Sequence, residues 1–453
     1  YFMIKSFNKS YITKYFAPLT GGTLYALGFP MKSLPAYFFS PILGMTLFIY
    51  SLNILTTGSS LSLKSRVKTV LLFSLSYCLT GYYWIPHTIK EFGEIPFPFN
   101  WMIGASFSLI IAPQFIVFLL SLKLIERLKS HNLFIKVISF IKIPYLYFLF
   151  LSFLLTFLEY YIPQQFPAHL GHPWIQLAPY LGLAPFFGAP IYSFLSYLIS
   201  FNLCNLVLGN KKRIYDLSLI AILLVINFSL PLTKVNKENF NHKDRLRLVQ
   251  ANIGNYLKIS AESGSPQAIK EVLNQYRELS VMPQKEPVDL VIWPETAFPK
   301  LLNSKLLKSE KRFIPQLFLD TINKSHAELF VGGYDKNMNR KFSFESEYNA
   351  AFHFGLEGQL KNVYHKMKLI PFGENLPFGY FNKYLASLVK NISFFAKGDN
   401  YTLFRTKNDT PFISSICYEI LFSSFIRDFL NRTTSQPSFL INLTNDSWYG
   451  DTS

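Results

Sequence analysis

A chain of 453 residues that is half apolar and 17% aromatic is longer and more hydrophobic than one water-soluble domain. Its net charge of +17 would suit a nucleic-acid-binding protein, but proteins of that class gather Lys and Arg on a folded polar surface. Here the basic excess lies mainly in the apolar part, with a net charge of +11 up to Pro231 and +6 from Leu232 onward. Composition therefore excludes a nucleic-acid partner and indicates two domains, one of them in a membrane.

Seven apolar stretches fill the N-terminal half: 15–30, 34–55, 70–85, 101–122, 143–162, 183–208 and 217–232. Most are close to the roughly 20 residues that a helix needs to cross a bilayer. The first is short and interrupted by Gly and Pro, which favours a tilted or re-entrant segment. The pattern predicts a polytopic α-helical membrane domain.

The basic residues between these stretches predict which side of the membrane each connection occupies. Fourteen Lys and Arg residues fall in one alternating set of connections, whereas the other set holds only Lys32 and Lys90. Because cytoplasmic connections carry the excess of Lys and Arg, the N-terminus is predicted to be cytoplasmic. After seven crossings, everything beyond Leu232 is predicted to lie outside.

Polar residues inside the apolar half are few. Glu159, at the outer end of the fifth stretch, is interpreted as a carboxylate that reaches the membrane interface, with a functional intramembrane acid as the alternative. His169 and His172 are three residues apart in "FPAHLGHPW", but no Cys, Asp or Glu lies nearby to complete a metal site. The sequence therefore predicts no metal.

Beyond residue 244 the hydrophobic period changes to that of strands. The predicted strands are "RLRLVQANI", "VDLVIWPE", "ELFVGGYD", "NAAFHFG", "KNVYHKMKL", "FISSICYEI" and "SFLINLTND". Helices are predicted around 269–279, 301–323 and 422–432. This order favours an α/β sandwich with a mixed sheet. Neither a Walker loop nor a GxGxxG motif is present in the sequence, so no nucleotide cofactor is predicted.

Three chemically different side chains fall at the ends of predicted strands. Glu295 ends "VIWPE", Lys366 lies in "YHKMKLIPFGE", and Cys417 closes the strand in "PFISSICYEILF". A carboxylate, an ammonium and a thiol at such positions can converge on one edge of a sheet. Taken alone, Cys417 is either a small buried hydrophobe or a reactive thiol.

The motifs "WPE", "HKMKLIPFGE" and "CYE", in this order, resemble the Glu-Lys-Cys set of the nitrilase superfamily. Together with the apolar half and "INLTNDSWYGD", they resemble the bacterial apolipoprotein N-acyltransferases. The resemblance implies a membrane domain at 1–232 with about seven transmembrane segments. A linker at 233–244 and a periplasmic nitrilase-like αββα sandwich at 245–453 would follow. In the family this domain continues past the equivalent of Ser453 into a final transmembrane helix, so the resemblance implies a C-terminal truncation.

By the same resemblance Cys417 is the nucleophile, Glu295 the general base and Lys366 the oxyanion stabiliser. A free thiol and a free glutamate differ in pKa by roughly four units, so the pair needs tuning. Burial is expected to raise the pKa of Glu295, and the Lys366 charge to lower that of Cys417.

The resemblance also implies supporting or substrate-binding residues around the triad: Glu374, Tyr418, Glu419 and Trp448. The chain departs from the family at two further positions. Ile259 stands where the family usually has a tryptophan, and Ile162 where it has an arginine. A lipid-contacting loop and a headgroup contact are therefore expected to differ.

The implied reaction needs no cofactor. An acyl chain passes from a phospholipid, phosphatidylethanolamine in the family, to Cys417 as a thioester, and then to the free α-amine of a diacylglyceryl cysteine on an apolipoprotein. Two alternatives use the same sequence: a membrane-tethered amidase or nitrilase-type hydrolase, or a truncated inactive homologue that only binds lipids or partners. Phe394 and Phe395 either keep water from the thioester or pack as buried loop residues.

Overall fold

The computed structural model describes residues 12–30, 36–55, 62–93, 95–128, 144–209, 214–230, 244–338, 345–371, 373–375, 379–385 and 394–445. The chain divides into two compact units, Tyr1–Val235 and Asn236–Asp451. The predicted linker at 233–244 lies outside the described residues except for Asp244.

The described part of the first unit is helical. Its α-helices are α1 (Ala17–Ala26), α2 (Ser40–Leu52), α3 (Leu63–Gly81), α4 (Ile85–Gly93), α5 (Phe99–Ser106), α6 (Pro113–Leu128), α7 (Pro144–Tyr161), α8 (Ala184–Phe187), α9 (Pro190–Val207) and α10 (Ile214–Ser229). A π-helical turn, Ile12–Phe16, leads into α1, and short 3-10 turns occupy Phe107–Leu109 and His172–Leu177. Aromatic and aliphatic side chains, among them Tyr25, Phe73 and Phe115, form one buried core between these helices.

Several of these helices also present apolar side chains outward. The stretches Phe99–Ile125 and Pro190–Val207 are long and apolar enough to cross a membrane. Three further apolar helices, in α2, α7 and α10, are shorter than that. On α7 and α10, Phe153 is 63% exposed and Val225 66% exposed. Outward faces of this kind are unusual on soluble proteins and are typical of helices that contact lipid or a partner.

The position of Glu159 differs from the prediction. Only 1% of the residue is exposed, so its side chain is enclosed within the first unit. Oε1 accepts hydrogen bonds from the backbone N–H of Leu170 at 2.7 Å and from the Tyr197 hydroxyl at 3.2 Å. A carboxylate at the end of a helix is held inward when such donors are available, because a buried polar group must be paired.

The second unit contains two sheets. The elements in chain order are β1 (Leu246–Leu248), α11 (Asn255–Glu262), α12 (Pro266–Ser280), β2 (Leu290–Leu302), α13 (Ser304–Ser309), α14 (Gln316–Ser325), β3 (Glu328–Lys336), β4 (Glu347–Phe354), β5 (Leu360–His365), α15 (Asn382–Leu385), β6 (Leu403–Arg405), β7 (Pro411–Ile416), α16 (Ser423–Arg432) and β8 (Phe439–Leu443). Strands β1 to β5 form one sheet in sequence order, parallel from β1 to β3 and antiparallel from β3 to β5. Strands β6, β7 and β8 form the other, in which β7 and β8 run parallel.

Alternation along the strands sends side chains to opposite faces of the five-stranded sheet. Trp293 and Val331 join Phe318 of α14 and Val272 of α12 in one core. Their neighbours Ile292 and Phe330 belong to a second core, which lies between the two sheets. The three-stranded sheet contributes to this core Phe404, Phe412, Ile416 and Ile441. The described residues therefore form a sandwich of two sheets with helices on the outer face of the larger sheet. This agrees with the predicted α/β sandwich.

Candidate active site

Glu295 lies in the irregular middle of β2. The register between β2 and β3 shifts between Trp293 and Phe298, at the point where Pro294 provides no backbone N–H for the ladder. The next residue, Thr296, has φ of 50°, which is rare for a β-branched side chain. This break in regular pairing turns the Glu295 carboxylate into the interior, where 6% of the residue is exposed.

Lys366 directly follows β5 and is fully buried. Its Nζ donates to Glu374 Oε1 at 2.8 Å and to Glu295 Oε1 at 3.2 Å. Burial by itself would lower the pKa of Lys366, but the charges of Glu295, Glu374 and Cys417 outweigh it and raise the pKa above its ordinary value. The side chain is therefore a permanent ammonium between two carboxylates.

Asn349 of β4 connects the same two carboxylates. Its Nδ2 donates to Glu295 Oε1 at 2.8 Å and to Glu374 Oε1 at 3.3 Å. Its backbone O accepts from the Lys366 N–H at 2.9 Å, so β4 also fixes the position of the Lys366 backbone. Glu374 Oε2 accepts the backbone N–H of Ile370 at 2.9 Å, which ties the "PFGE" segment to the site.

Cys417 occupies a strained turn at the end of β7. It begins the 3-10 helix Cys417–Leu421 and has φ of 51°, a conformation that non-glycine residues adopt mainly where the surrounding structure enforces it. The thiol is partly buried. Burial and the Glu295 charge raise its pKa to about 12, although Lys366 and the Thr444 hydroxyl lower it.

The predicted effect of Lys366 on the Cys417 pKa is present but is outweighed. The sequence predicts that the Lys366 charge lowers this pKa. Lys366 acts in that direction, but two carboxylates and desolvation act against a single ammonium. At rest Cys417 is consequently a protonated thiol, and its proton must be removed as it reacts.

Glu419 holds the cysteine turn against the lysine segment. Its fully buried carboxylate accepts from the backbone N–H groups of Met367 at 2.6 Å, Lys368 at 2.8 Å and Ile416 at 2.8 Å. The Tyr364 hydroxyl donates to both oxygens, at 2.9 and 2.8 Å. Burial raises the pKa of Glu419, opposed by these hydrogen bonds. These contacts indicate that Glu419 supports the site and does not take part in the reaction.

The end of β8 contributes two residues that the sequence did not single out. The Asn445 N–H donates to Glu295 Oε2 at 3.2 Å, and the Thr444 hydroxyl hydrogen-bonds to the Cys417 thiol. Because β7 and β8 are parallel, both strands end at the same edge, and this rule applied to "SFLINLTND" would have found them. Tyr418 is buried against Phe422 at 4.9 Å between ring centroids, and Trp448 lies outside the described residues.

The structure therefore brings Glu295, Lys366, Glu374 and Cys417 together, with Glu419 beneath them. A carboxylate, a fixed ammonium and a thiol at a strained turn are suited to nucleophilic catalysis at a carbonyl. Among the described residues no group of three or more His, Cys, Asp or Glu side chains is arranged to hold a metal.

Comparison with known proteins places both halves of the chain. A family described as carbon-nitrogen hydrolase matches residues 245–453, and one described as apolipoprotein N-acyltransferase N-terminal domain matches residues 21–202. A solved carbon-nitrogen hydrolase from Helicobacter pylori is 16% identical and has a TM-score of 0.27, with 45% of this chain and 60% of that chain covered.

Two curated relatives align with most of the chain. The apolipoprotein N-acyltransferase of Bdellovibrio bacteriovorus is 29% identical over 426 residues, which covers 90% of this chain and 73% of that protein. The one of Haemophilus ducreyi is 25% identical over 449 residues, or 94% of this chain and 79% of that protein. With the N-terminal domain of these relatives' family matched, a carbon-nitrogen hydrolase domain after it, and relatives aligned with most of the chain, the chain belongs to the apolipoprotein N-acyltransferase family.

Proposed function

We propose that this chain N-acylates the diacylglyceryl-cysteine N-terminus of apolipoproteins, using a phospholipid as acyl donor and Cys417 as the nucleophile. The observation that carries the proposal is the buried Lys366 ammonium bound by Glu295 and Glu374, with the Cys417 thiol close enough for all three charges to act on its pKa. The names of the relatives support the substrate class.

In the first step the thiol becomes the nucleophile only as it attacks. Glu295 takes the Cys417 proton while sulfur bonds to the ester carbonyl of the phospholipid. Lys366 donates to the oxyanion that forms on the former carbonyl oxygen. The intermediate then expels the glycerol oxygen, which receives the proton from Glu295. A thioester and a lysophospholipid result.

Glu374 has a separate role in this step. When Glu295 becomes protonated it loses its negative charge, and its attraction for Lys366 weakens. Glu374 keeps its ion pair with Lys366, at 2.8 Å the shorter of the two, and holds the ammonium in place. The Lys366 ammonium can then turn from Glu295 toward the oxyanion while Glu374 keeps it in the site.

In the second step the α-amine of the acceptor attacks the thioester. An α-amine has an ordinary pKa near 7.7 to 8, so about a tenth or more of it is neutral at pH 7. Glu295 takes a proton from the attacking nitrogen and returns it to the sulfur that leaves. The products are an amide and the original thiol, so the enzyme is ready for another cycle.

We place this chemistry at the periplasmic face of a bacterial inner membrane, with the N-terminus of the chain in the cytoplasm. Both substrates are anchored in lipid, so a membrane domain confines them to the surface where the thiol acts. The outward apolar faces of the described helices and the distribution of Lys and Arg support this placement.

The test is mass spectrometry of the purified protein after incubation with a labelled phospholipid. We expect an acyl adduct on Cys417 that is absent from Cys417→Ala and is discharged by a diacylglyceryl-cysteine peptide with a free amine. Cys204→Ser, which changes a buried thiol of the first unit, is the matched control and should acylate normally. An adduct that discharges equally fast without the peptide would favour the hydrolase, and equal acylation of Cys417→Ala would refute the proposal.

A further inference from the structure

A second lysine, partly buried, lies beside the candidate site. Lys258 is in α11, and only 15% of its side chain is exposed. Its Nζ donates to the Thr296 hydroxyl at 2.6 Å. Glu262, one turn later in the same helix, lies 3.8 Å from Nζ, which makes this ion pair a loose one. The Lys258 ammonium is therefore closer to Thr296, the residue that follows Glu295, than to Glu262.

Glu262 is held by a different residue. Its Oε1 accepts from the Tyr334 hydroxyl at 2.7 Å, and the Tyr334 ring stacks on Phe395 at 5.7 Å between centroids. Phe394 and Phe395 are both buried, which favours the packing alternative for these residues. At 3.8 Å from Nζ, Glu262 neutralises the Lys258 charge only in part.

The contact between Lys258 and Thr296 affects the backbone next to Glu295. The Thr296 φ of 50° is unfavourable for a β-branched residue and persists only where neighbours enforce it. The hydrogen bond from Lys258 ties the Thr296 side chain to α11. Because Thr296 is bonded to Glu295 in the chain, a relaxed Thr296 would move the Glu295 backbone.

The charges around the Cys417 thiol also disfavour its ionisation unless a second cation contributes. Glu295 and Glu374 both oppose ionisation of Cys417, and Lys366 is the cation that favours it. Burial lowers the pKa of Lys258 below its ordinary value, although the charges of Glu262, Glu295 and Cys417 act to raise it. Lys258 is thus electrostatically coupled to the base and to the nucleophile.

We propose that Lys258 is a positioning residue for the acyl transfer: its hydrogen bond to Thr296 holds the turn that presents Glu295, and its ammonium favours the thiolate of Cys417. The reaction it serves rests on the function proposed above. The effect on the Cys417 thiol does not, because thiol reactivity can be measured without any acyl donor.

The experiment measures alkylation of Cys417 by iodoacetamide between pH 8 and 10, in the full chain carrying Cys78→Ser and Cys204→Ser. The reactive form is the thiolate, whose fraction rises with pH below the pKa of about 12, so the rate should rise about tenfold per pH unit. In Lys258→Met we expect a rate lower by about tenfold at pH 8, equal to about one unit of pKa, and a smaller difference toward pH 10, because the lowered pKa of Lys258 leaves less of it charged there. Lys258→Arg, which keeps the charge, should stay within about threefold of the parent.

Thr296→Val separates the hydrogen bond from the charge. This variant keeps the ammonium, so Cys417 should be alkylated at close to the parent rate. Its kcat for acyl transfer should fall about tenfold with KM unchanged, because Glu295 is misplaced and substrate binding is not.

Two results would overturn the inference. One is an alkylation rate in Lys258→Met equal to the parent, with the same thermal midpoint. The other is an unchanged kcat in Thr296→Val, which can be measured even if Lys258→Met fails to fold. Failure of acyl transfer in the parent chain would refute the proposed function and leave the alkylation result standing.

Discussion

The buried carboxylates around Lys366 differ in what they bind. Glu295 and Glu374 share the Lys366 ammonium and the amide of Asn349, so a positive charge lies next to both carboxylates. Glu419 instead accepts hydrogen bonds from neutral donors, three backbone N–H groups and the Tyr364 hydroxyl. The first two therefore lie beside the Lys366 ammonium, whereas Glu419 is positioned to hold two chain segments together.

Removing Glu419 should therefore cost stability and activity together. Glu419→Ala removes the acceptor for buried donors on both segments, and each donor that water does not reach costs about 1–3 kcal/mol, so we expect a loss of about 3 kcal/mol. For a unit of this size that corresponds to a fall of roughly 6–12 °C in the thermal midpoint. Acyl transfer should fall about 100-fold as Lys366 and Cys417 separate. Thermal unfolding in detergent and the acyl-adduct assay measure the two effects.

The matched control is Glu357→Gln, which removes a carboxylate from an exposed ion pair with Lys311. Exposed ion pairs contribute about 0–1 kcal/mol, so this variant should unfold and react like the parent. A Glu419→Ala protein with the parent's thermal midpoint and rate would show that the carboxylate does not hold the site.

The sequence reveals part of this site and conceals the rest for a physical reason. Glu295, Lys366 and Cys417 are charged or nucleophilic residues at strand ends, and such positions are detectable without a structure. Asn349 and Lys258 act through pairing across strands or between a helix and a turn. Asn is common in many roles, and Lys258 in "NYLK" reads as an ordinary solvated residue until its burial is known.

At the level of the elements, β2 is the strand on which the geometry depends. The apolar run predicts a strand that ends at Glu295, but β2 continues to Leu302 beyond an irregular register. Gly332 of β3 lies against this irregular part. A Cβ at Gly332 would lie 2.3 Å from the Pro294 O and 2.7 Å from the Glu295 Cα, closer than atoms can approach. Glycine is needed there because β2 bulges toward β3.

Two adjacent glycines provide a test of that bulge. Gly332→Ala should destabilise the protein by about 1–3 kcal/mol and reduce acyl transfer at least tenfold, because the backbone around Glu295 must shift. Gly333→Ala should change neither property much, since its nearest backbone contact would be the Phe298 O at 3.4 Å, an ordinary distance. Thermal unfolding and adduct formation in parallel decide it. Equal behaviour of the two variants would contradict the role of the bulge.

Strand prediction succeeds where burial is continuous and fails where an element is short or broken. The long apolar runs of β3 and β7 are visible in the sequence, whereas β6 spans only Leu403–Arg405 and was not predicted. The single helix predicted at 301–323 is instead α13 and α14. Extended backbone at Glu310 ends the first, and Pro315 precedes the second, where its ring disfavours a helical residue before it.

At the scale of the whole molecule, charge separates the two halves. The apolar half carries basic residues almost wholly in one alternating set of connections, and the polar half has nearly balanced charge. An excess of Lys and Arg resists translocation, so connections rich in these residues stay in the cytoplasm. The distribution thus predicts opposite exposure for the basic connections and for the second unit.

Single cysteines in a chain carrying Cys78→Ser, Cys204→Ser and Cys417→Ser test this topology. Lys64→Cys lies in a basic connection, and Lys285→Cys lies on an exposed segment between α12 and β2. A membrane-impermeant maleimide applied to intact spheroplasts should label the cysteine at 285 and leave the one at 64 unlabelled. After lysis both should be labelled, which controls for local accessibility. Labelling of the cysteine at 64 in intact spheroplasts would reverse the predicted orientation, because fourteen basic residues would then lie outside.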